Sequence, residues 1–389
     1  MRDQISKYSG KLLADRSALP GHFAIAAHDD ALLSDGNPAL ARLCGEALSF
    51  IGCLGLVAAR PSLPFAEFLV RRARAGENSI VPSDTETRTF LHDIPFLRSE
   101  ELGDDAPARI AGLLGKRKGV IAEGLGIVAA GPLTVEQAYV NYSSIFHATF
   151  VKYLLDLLAD GFLIPGEKES FASFRRDWLR PLSAEGLAFR SGPMEDPGDI
   201  LEEAATVGRY AVERGLADSI FGNLSCRAGG TIYISRTAAG LDDLAGNMDQ
   251  VPMDGSSTAG ITASSELKAH RLIYENSGAR TILHGHPRFS VAMSMLCDER
   301  GCPVKDCWKD CERVRLLGDT PVVAGEPGAG GLAVRVPPAI ASPGKAVVYG
   351  HGVFTLGRTD FAEAFRSMIA VENWCRREYF RRFDALLPA

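Results

Sequence analysis

Two histidines stand two residues apart in Thr281-Ile-Leu-His284-Gly-His286-Pro287, at the end of an apolar run that begins at Ala279. On an extended strand, residues i and i+2 share a face, so the two imidazoles would stand side by side and offer two nitrogens to one metal ion. A third candidate, His351, lies 65 residues beyond His286 in Tyr349-Gly350-His351-Gly352. It follows the apolar run Ala346-Val347-Val348, which reads as another strand. Two His on one strand and one after the next leave a metal with an open coordination position, as in catalytic zinc sites. A His-x-His pair by itself is as readily two packed core residues, so its surroundings decide.

Those surroundings carry more polar chemistry. Thr262-Ala263-Ser264-Ser265-Glu266 leads into the helical stretch Leu267 to Asn276. Hydroxyl residues at a helix start are caps first. The same free N–H groups and the helix dipole also favour a phosphate or carboxylate. Glu266 falls at the first turn, an ordinary place for an acid. It also lies 18 residues before His284, which makes it the candidate acid/base. His270, one turn on, reads as a packing residue. Upstream, Gly222-Asn223-Leu224-Ser225 sits between the helical stretch Ile200 to Arg214 and the strand Thr231 to Ser235. It reads as a turn that could aim amides into a pocket. The loop Ser235-Arg236-Thr237-Ala238-Ala239-Gly240 could hold an anion through hydroxyls and backbone N–H groups.

A separate cluster, Cys297-x4-Cys302-x4-Cys307-x3-Cys311, gathers four of the chain's eight cysteines into fifteen residues. Thiolates at such spacing can close a structural zinc site or hold an iron–sulfur cluster. The alternative is a loop of free thiols. Cys44, Cys53, Cys226 and Cys375 are scattered and read as buried thiols.

The elements that must position these residues fit an ordinary globular chain. At 389 residues with 46% hydrophobic and 23% charged positions, there is room for two domains. A net charge of −6 gives no reason to expect nucleic acid or an acidic membrane as partner. No apolar run reaches the roughly 18 residues of a membrane span. The opening Met-Arg-Asp-Gln-Ile-Ser-Lys has no apolar h-region, so a cytoplasmic protein with reduced or metal-bound cysteines is expected.

The two halves also resemble each other. Thr87-Arg-Thr-Phe-Leu-His92-Asp-Ile94-Pro95 aligns with Ala279 to Pro287, and Thr87 to Ile94 then reads as a strand. Gly124-Leu125-Gly126 with Gly131 aligns with Gly350-His351-Gly352 with Gly357, in a register that continues to Tyr153 and Tyr379. Val120 to Ala129 reads as one strand and Thr134 to Ala159 as a long helix. In this alignment Ile94 and Leu125 stand in place of ligands, and His92 is structural. The expected organisation is a degenerate domain over 1–165, an ordered connector over 166–197 and a catalytic domain over 198–389.

In this order, Gly222-Asn223-Leu-Ser, Ser264-Ser265-Glu266, His284-Gly-His286-Pro287 and Gly350-His351-Gly352 resemble the class II aldolase/adducin family, over roughly residues 200 to 385. The resemblance implies a three-layer α/β/α fold with a mixed, mostly antiparallel sheet, here in two tandem copies. It implies zinc or another divalent metal on His284, His286 and His351, and Glu266 as acid/base. Asn223, Ser264 and Ser265, with Thr237 beside them, would hold the substrate's phosphate or carboxylate. Where the family has Thr-Pro-Ser-Gly this chain has Ser235-Arg-Thr-Ala, so Arg236 is a candidate for holding a carboxylate. The implied activity is cleavage or formation of a carbon–carbon bond in a small sugar phosphate or hydroxy acid. An epimerase, decarboxylase or dehydratase on the same site is the near alternative, and a non-catalytic adducin-like interaction module the distant one. Family habit also implies a homo-oligomer, in this case a dimer of tandem chains.

Overall fold

The computed structural model describes residues 1–218, 220–256, 261–299, 301–326 and 330–386. The chain forms two compact units, one of Met1–Ser83 with Thr87–Arg176, the other of Asp84–Glu86 with Asp177–Ala389. No described helix is long and apolar enough to cross a membrane.

In chain order the first unit carries α1 (Arg2–Ala14), β1 (Ala18–His28), β2 (Leu32–Gly36), α2 (Pro38–Leu48), β3 (Gly55–Pro61), α3 (Phe65–Arg72) and β4 (Ser79–Ile80). Then come α4 (Thr85–Leu91), whose first two residues count with the second unit, β5 (Ile94–Leu97), α5 (Ala106–Leu114), β6 (Gly119–Ala122), β7 (Gly126–Gly131), α6 (Val135–Asp160) and α7 (Glu167–Trp178), whose last two residues do so too. The helix starts are set by local chemistry. Asn37 accepts the N–H groups of Ala39 and Leu40 ahead of Pro38, and Thr134 accepts that of Gln137. The sheet runs β2-β1-β3-β7-β6-β5-β4, with β5 and β6 parallel and the other pairs antiparallel. Cys44, Ala47 and Leu48 of α2 and Ile110 and Leu114 of α5 pack on Leu56, Ala58, Val128 and Ala130. The helices α1, α3 and α6 pack from the opposite side, where Phe65 stacks on Tyr153 with ring centres 4.4 Å apart.

The second unit carries α8 (Pro197–Glu213), β8 (Asn223–Ala228), β9 (Thr231–Ser235), β10 (Met248–Pro252), α9 (Leu267–Asn276), β11 (Thr281–Gly285) and α10 (Arg288–Ser294). It continues with α11 (Cys307–Asp310), β12 (Arg315–Leu317), β13 (Thr320–Val323), α12 (Gly331–Ile340), β14 (Lys345–Val348), β15 (Gly352–Gly357) and α13 (Phe361–Asp384). Its sheet runs β10-β9-β8-β11-β15-β14-β13-β12, with β13 and β14 parallel. Ile273 and Tyr274 of α9 and Leu332, Val336 and Ile340 of α12 pack on Ile282, Ala346, Val348 and Phe354. α8 and α13 pack on β8, β11 and β15 from the other side. Both units are thus three-layer α/β/α bodies on a mixed, mostly antiparallel sheet.

Strand for strand the orders coincide, apart from β10 at one edge of the second sheet. Part of the sequence-based repeat is corrected by this register. Thr85–Leu91 is a helix, not a strand, and exposed His92 ends it with φ 65°. The counterpart of β11 is β3, because Gly55 faces Gly131 as Thr281 faces Gly357, both at a shift of 226 positions. Ala58 and Arg60 therefore stand where His284 and His286 stand, and Pro61 matches Pro287. Thr87 to Pro95 shares letters with the metal strand but not its place. Val120 to Ala129 is likewise two strands, β6 and β7, with Leu125 in the turn between them as His351 is between β14 and β15.

Candidate metal centre

The end of β11 places His284, and the first residue beyond it places His286. His284 is fully buried and His286 and His351 nearly so. One ligand nitrogen from each lies within 4.8 Å of those of the other two, and this is the only such cluster of metal-ligating groups among the described residues. His284 Nδ1 lies 3.0 Å from the Val353 carbonyl, which fixes Nδ1 as the N–H donor and leaves Nε2 for the site. His284 Nε2 and His286 Nε2 are 3.0 Å apart. The ring of His284 stacks on Phe354, its strand partner, with centres 3.9 Å apart.

Glycine makes room for these rings. A Cβ on Gly352 would come within 2.6 Å of His286 Cδ2 and 2.8 Å of His284 Cε1. Gly350 adopts φ 58°, turning the chain so that His351 enters the site.

Glu266 stands at the N-cap position of α9, buried, with its side chain turned to the site rather than to the helix N–H groups. Its Oε1 lies 3.2 Å from His351 Nε2 and its Oε2 3.5 Å from His284 Nε2. Asn223 donates to Oε2 at 2.9 Å, and its own Oδ1 is buried without a hydrogen-bond partner among the described residues. Burial favours the neutral acid at Glu266, but the charge of His284, then His351 and Asn223, outweighs it and holds the carboxyl far below its ordinary range. Burial holds His284 down to about 4. On His351 burial also opposes charge, yet the carboxylates of Glu266 and Glu86 override it and push the imidazole up to about 10. Glu86 Oε2 sits 3.1 Å from His351 Nδ1, close enough to pair as an ion although the N–H direction is not aligned on it. No local pattern in the sequence marks Glu86; only the fold brings it to the site.

The other candidates divide. Ser264 is buried, and its Oγ accepts from the Glu266 N–H at 3.3 Å, while Ser265 is exposed. Thr237 is exposed and donates to the Ala263 carbonyl at 2.8 Å, which ties its loop to the start of α9. Arg236 is not held out for a ligand: its Nε donates to Asp249 at 2.7 Å. His270 is a packing residue, with Nδ1 2.7 Å from Ser225 Oγ, and burial depresses it to about 3. Cys297 and Cys302 are exposed, Cys307 and Cys311 half-buried, and the four thiols form no cluster that one ion could span.

Residues 202–379 match the family model of the Class II Aldolase and Adducin N-terminal domain. Over this part, somewhat under half of its length, the chain is similar to the class II aldolase and adducin family. L-fuculose-1-phosphate aldolase from Thermus thermophilus is 24% identical, covering 49% of this chain and 98% of its own, at a TM-score of 0.39. YgbL from Klebsiella pneumoniae, provisionally named an aldolase/epimerase/decarboxylase, is 23% identical, covering 50% of this chain and 100% of its own, at 0.40. A sugar-phosphate aldolase from Thermotoga maritima is 16% identical, covering 49% and 98%, at 0.36. No match is found among curated proteins. Of the candidate residues read from the sequence, the fold brings together His284, His286, His351, Glu266 and Asn223.

Proposed function

We propose that the second unit is a divalent-metal-dependent lyase of the class II aldolase type, acting on a carbon–carbon bond of a small sugar phosphate or hydroxy acid. The observation that carries this reading is the buried cluster of His284, His286 and His351, with the Glu266 carboxylate against two of the three. The donor set fits a borderline cation, zinc foremost. His284 is already neutral at pH 7, and a cation of charge two would replace the proton that two carboxylates hold on His351. When bound, such an ion supplies Lewis acidity toward a carbonyl and neighbouring hydroxyl oxygen and stabilises an enediolate.

The side chains do the rest. Glu266 stays ionised, so its carboxylate can take a proton from a substrate hydroxyl and return one to carbon. Asn223 orients that carboxylate through its amide and offers its unpaired Oδ1 to a substrate hydroxyl. Ser265 and Thr237, both exposed, and Ser264 would hold an anionic end group. The test is metal analysis of the purified protein, then a retro-aldol screen over short sugar phosphates and hydroxy acids. One equivalent of metal and turnover are expected, both lost in His284→Ala. Metal and activity retained at wild-type levels in His284→Ala would falsify the assignment.

A further inference from the structure

The segment Asp84–Glu86 belongs to the compact body of the second unit, although it precedes the rest of that body by some ninety positions in the chain. It lies outside the family-matched residues 202–379. Two of its residues touch the loop that carries the third ligand. Thr85 donates twice to the Gly350 carbonyl, from its backbone N at 2.7 Å and from Oγ1 at 2.8 Å. Glu86 places Oε2 3.1 Å from His351 Nδ1, on the edge of the ring away from Glu266. From the other side, the Gly350 N–H is held by Ser294 Oγ at 2.8 Å. A Cβ on Gly350 would meet Thr85 at 3.3 Å, so the fit is close.

We infer that Glu86 is a positioning residue for the metal centre: by holding Nδ1 of His351 it fixes that ring with Nε2 turned to the ion. The physical basis is general. A ligating imidazole is oriented, and its tautomer chosen, by what its second nitrogen touches, and a carboxylate there also makes the ring a stronger donor. His284 obtains the same service from the Val353 carbonyl. His351 enters on a turn rather than along a strand, so among the described residues no ladder carbonyl reaches its Nδ1, and the Glu86 carboxylate, 3.1 Å away, is the charge that faces it. This inference rests on the metal-dependent reading above.

The experiment is a titration of metal-free protein with Zn2+ against a competing chelator, and with Co2+ read by its visible absorption. Glu86→Ala should bind Zn2+ about 10- to 100-fold more weakly, with an altered Co2+ spectrum. Glu86→Gln keeps the volume and one acceptor oxygen, so it should lose roughly tenfold or less and keep the wild-type spectrum. Thermal unfolding in excess chelator should match wild type for both variants, which separates positioning from folding. Wild-type affinity and spectrum in Glu86→Ala overturn the inference alone; should that variant not fold, wild-type affinity in Glu86→Gln does so. A wild-type chain that binds neither ion overturns the metal-dependent reading and this inference with it.

Discussion

β3 and β11 occupy the same place in two sheets of matching order, and Pro61 at the end of β3 matches Pro287, two residues beyond β11. At the matched positions β11 and the residue after it present His284 and His286, while β3 presents Ala58 and Arg60. Around β3 the Arg60 guanidinium lies 3.7 Å from Glu67, beside a cavity of about 140 Å3 that Ile121 and Gly126 also line. Backbone, turn and glycine have been kept in the first unit, and the nitrogen donors have not. A metal centre on this fold thus depends on a few side chains at fixed backbone positions, and the same strand order forms where they are replaced.

The largest effect should follow from the carboxylate that only the second unit carries. Glu266→Gln keeps the shape and the contact with Asn223 but cannot take up a proton. Turnover should fall by about 10^2- to 10^4-fold while metal content stays at the wild-type level. Steady-state assays with parallel metal analysis check this; undiminished turnover would place the acid/base elsewhere.

Next come the paired glycines. Gly352→Ala forces a methyl against two imidazoles, and Gly126→Ala forces one against the Ala59 carbonyl, 2.3 Å away, at φ 119°. Each should cost about 1–3 kcal/mol of stability by overpacking. Only the Gly352 variant should also weaken metal binding. Equal loss of metal in both would break the contrast between the units.

Much of this was legible in the sequence. The elements that hold the three histidines follow local signals: apolar runs for β11 and β14, hydroxyl residues at the start of α9, glycines around His351. The Gly124–Gly131 part of the repeat was legible too, because glycines in a hairpin turn leave a fixed spacing. The β3 match was not, since a strand that has lost His for Ala and Arg keeps only an apolar pattern shared with many strands. Thr87 to Pro95 resembled β11 letter by letter, yet Thr85–Leu91 is helical. Glu86 was invisible because its meaning comes from a contact with a residue 265 positions away.

Acid should separate the units by a smaller, graded effect. His270 lies buried in the second unit with its imidazole held neutral to about pH 3, while in the unfolded chain it titrates near 6.5. Below about pH 6.5 the unfolded chain therefore takes up a proton that the folded chain refuses. Stability is fully present above that pH and is lost as pH falls toward 3, at up to about 1.4 kcal/mol per pH unit. In metal-free protein, denaturant unfolding between pH 6.5 and 5 should show this slope, and His270→Asn should reduce it. An unchanged slope would assign the acid sensitivity to other groups.

The smallest effect should come from Arg60, the residue that stands where His286 stands. Its ion pair with Glu67 is long, and both side chains are substantially solvated, so the pair contributes under about 1 kcal/mol. Arg60→Ala should leave the unfolding midpoint within that range, and metal content and turnover unchanged. The contrast with His284→Ala is then one of position against chemistry: the equivalent strand of each sheet matters to the metal only where it carries an imidazole. A fall in bound metal on replacing Arg60 would mean that the first unit takes part in the centre, and the division of labour drawn from β3 and β11 would have to be abandoned.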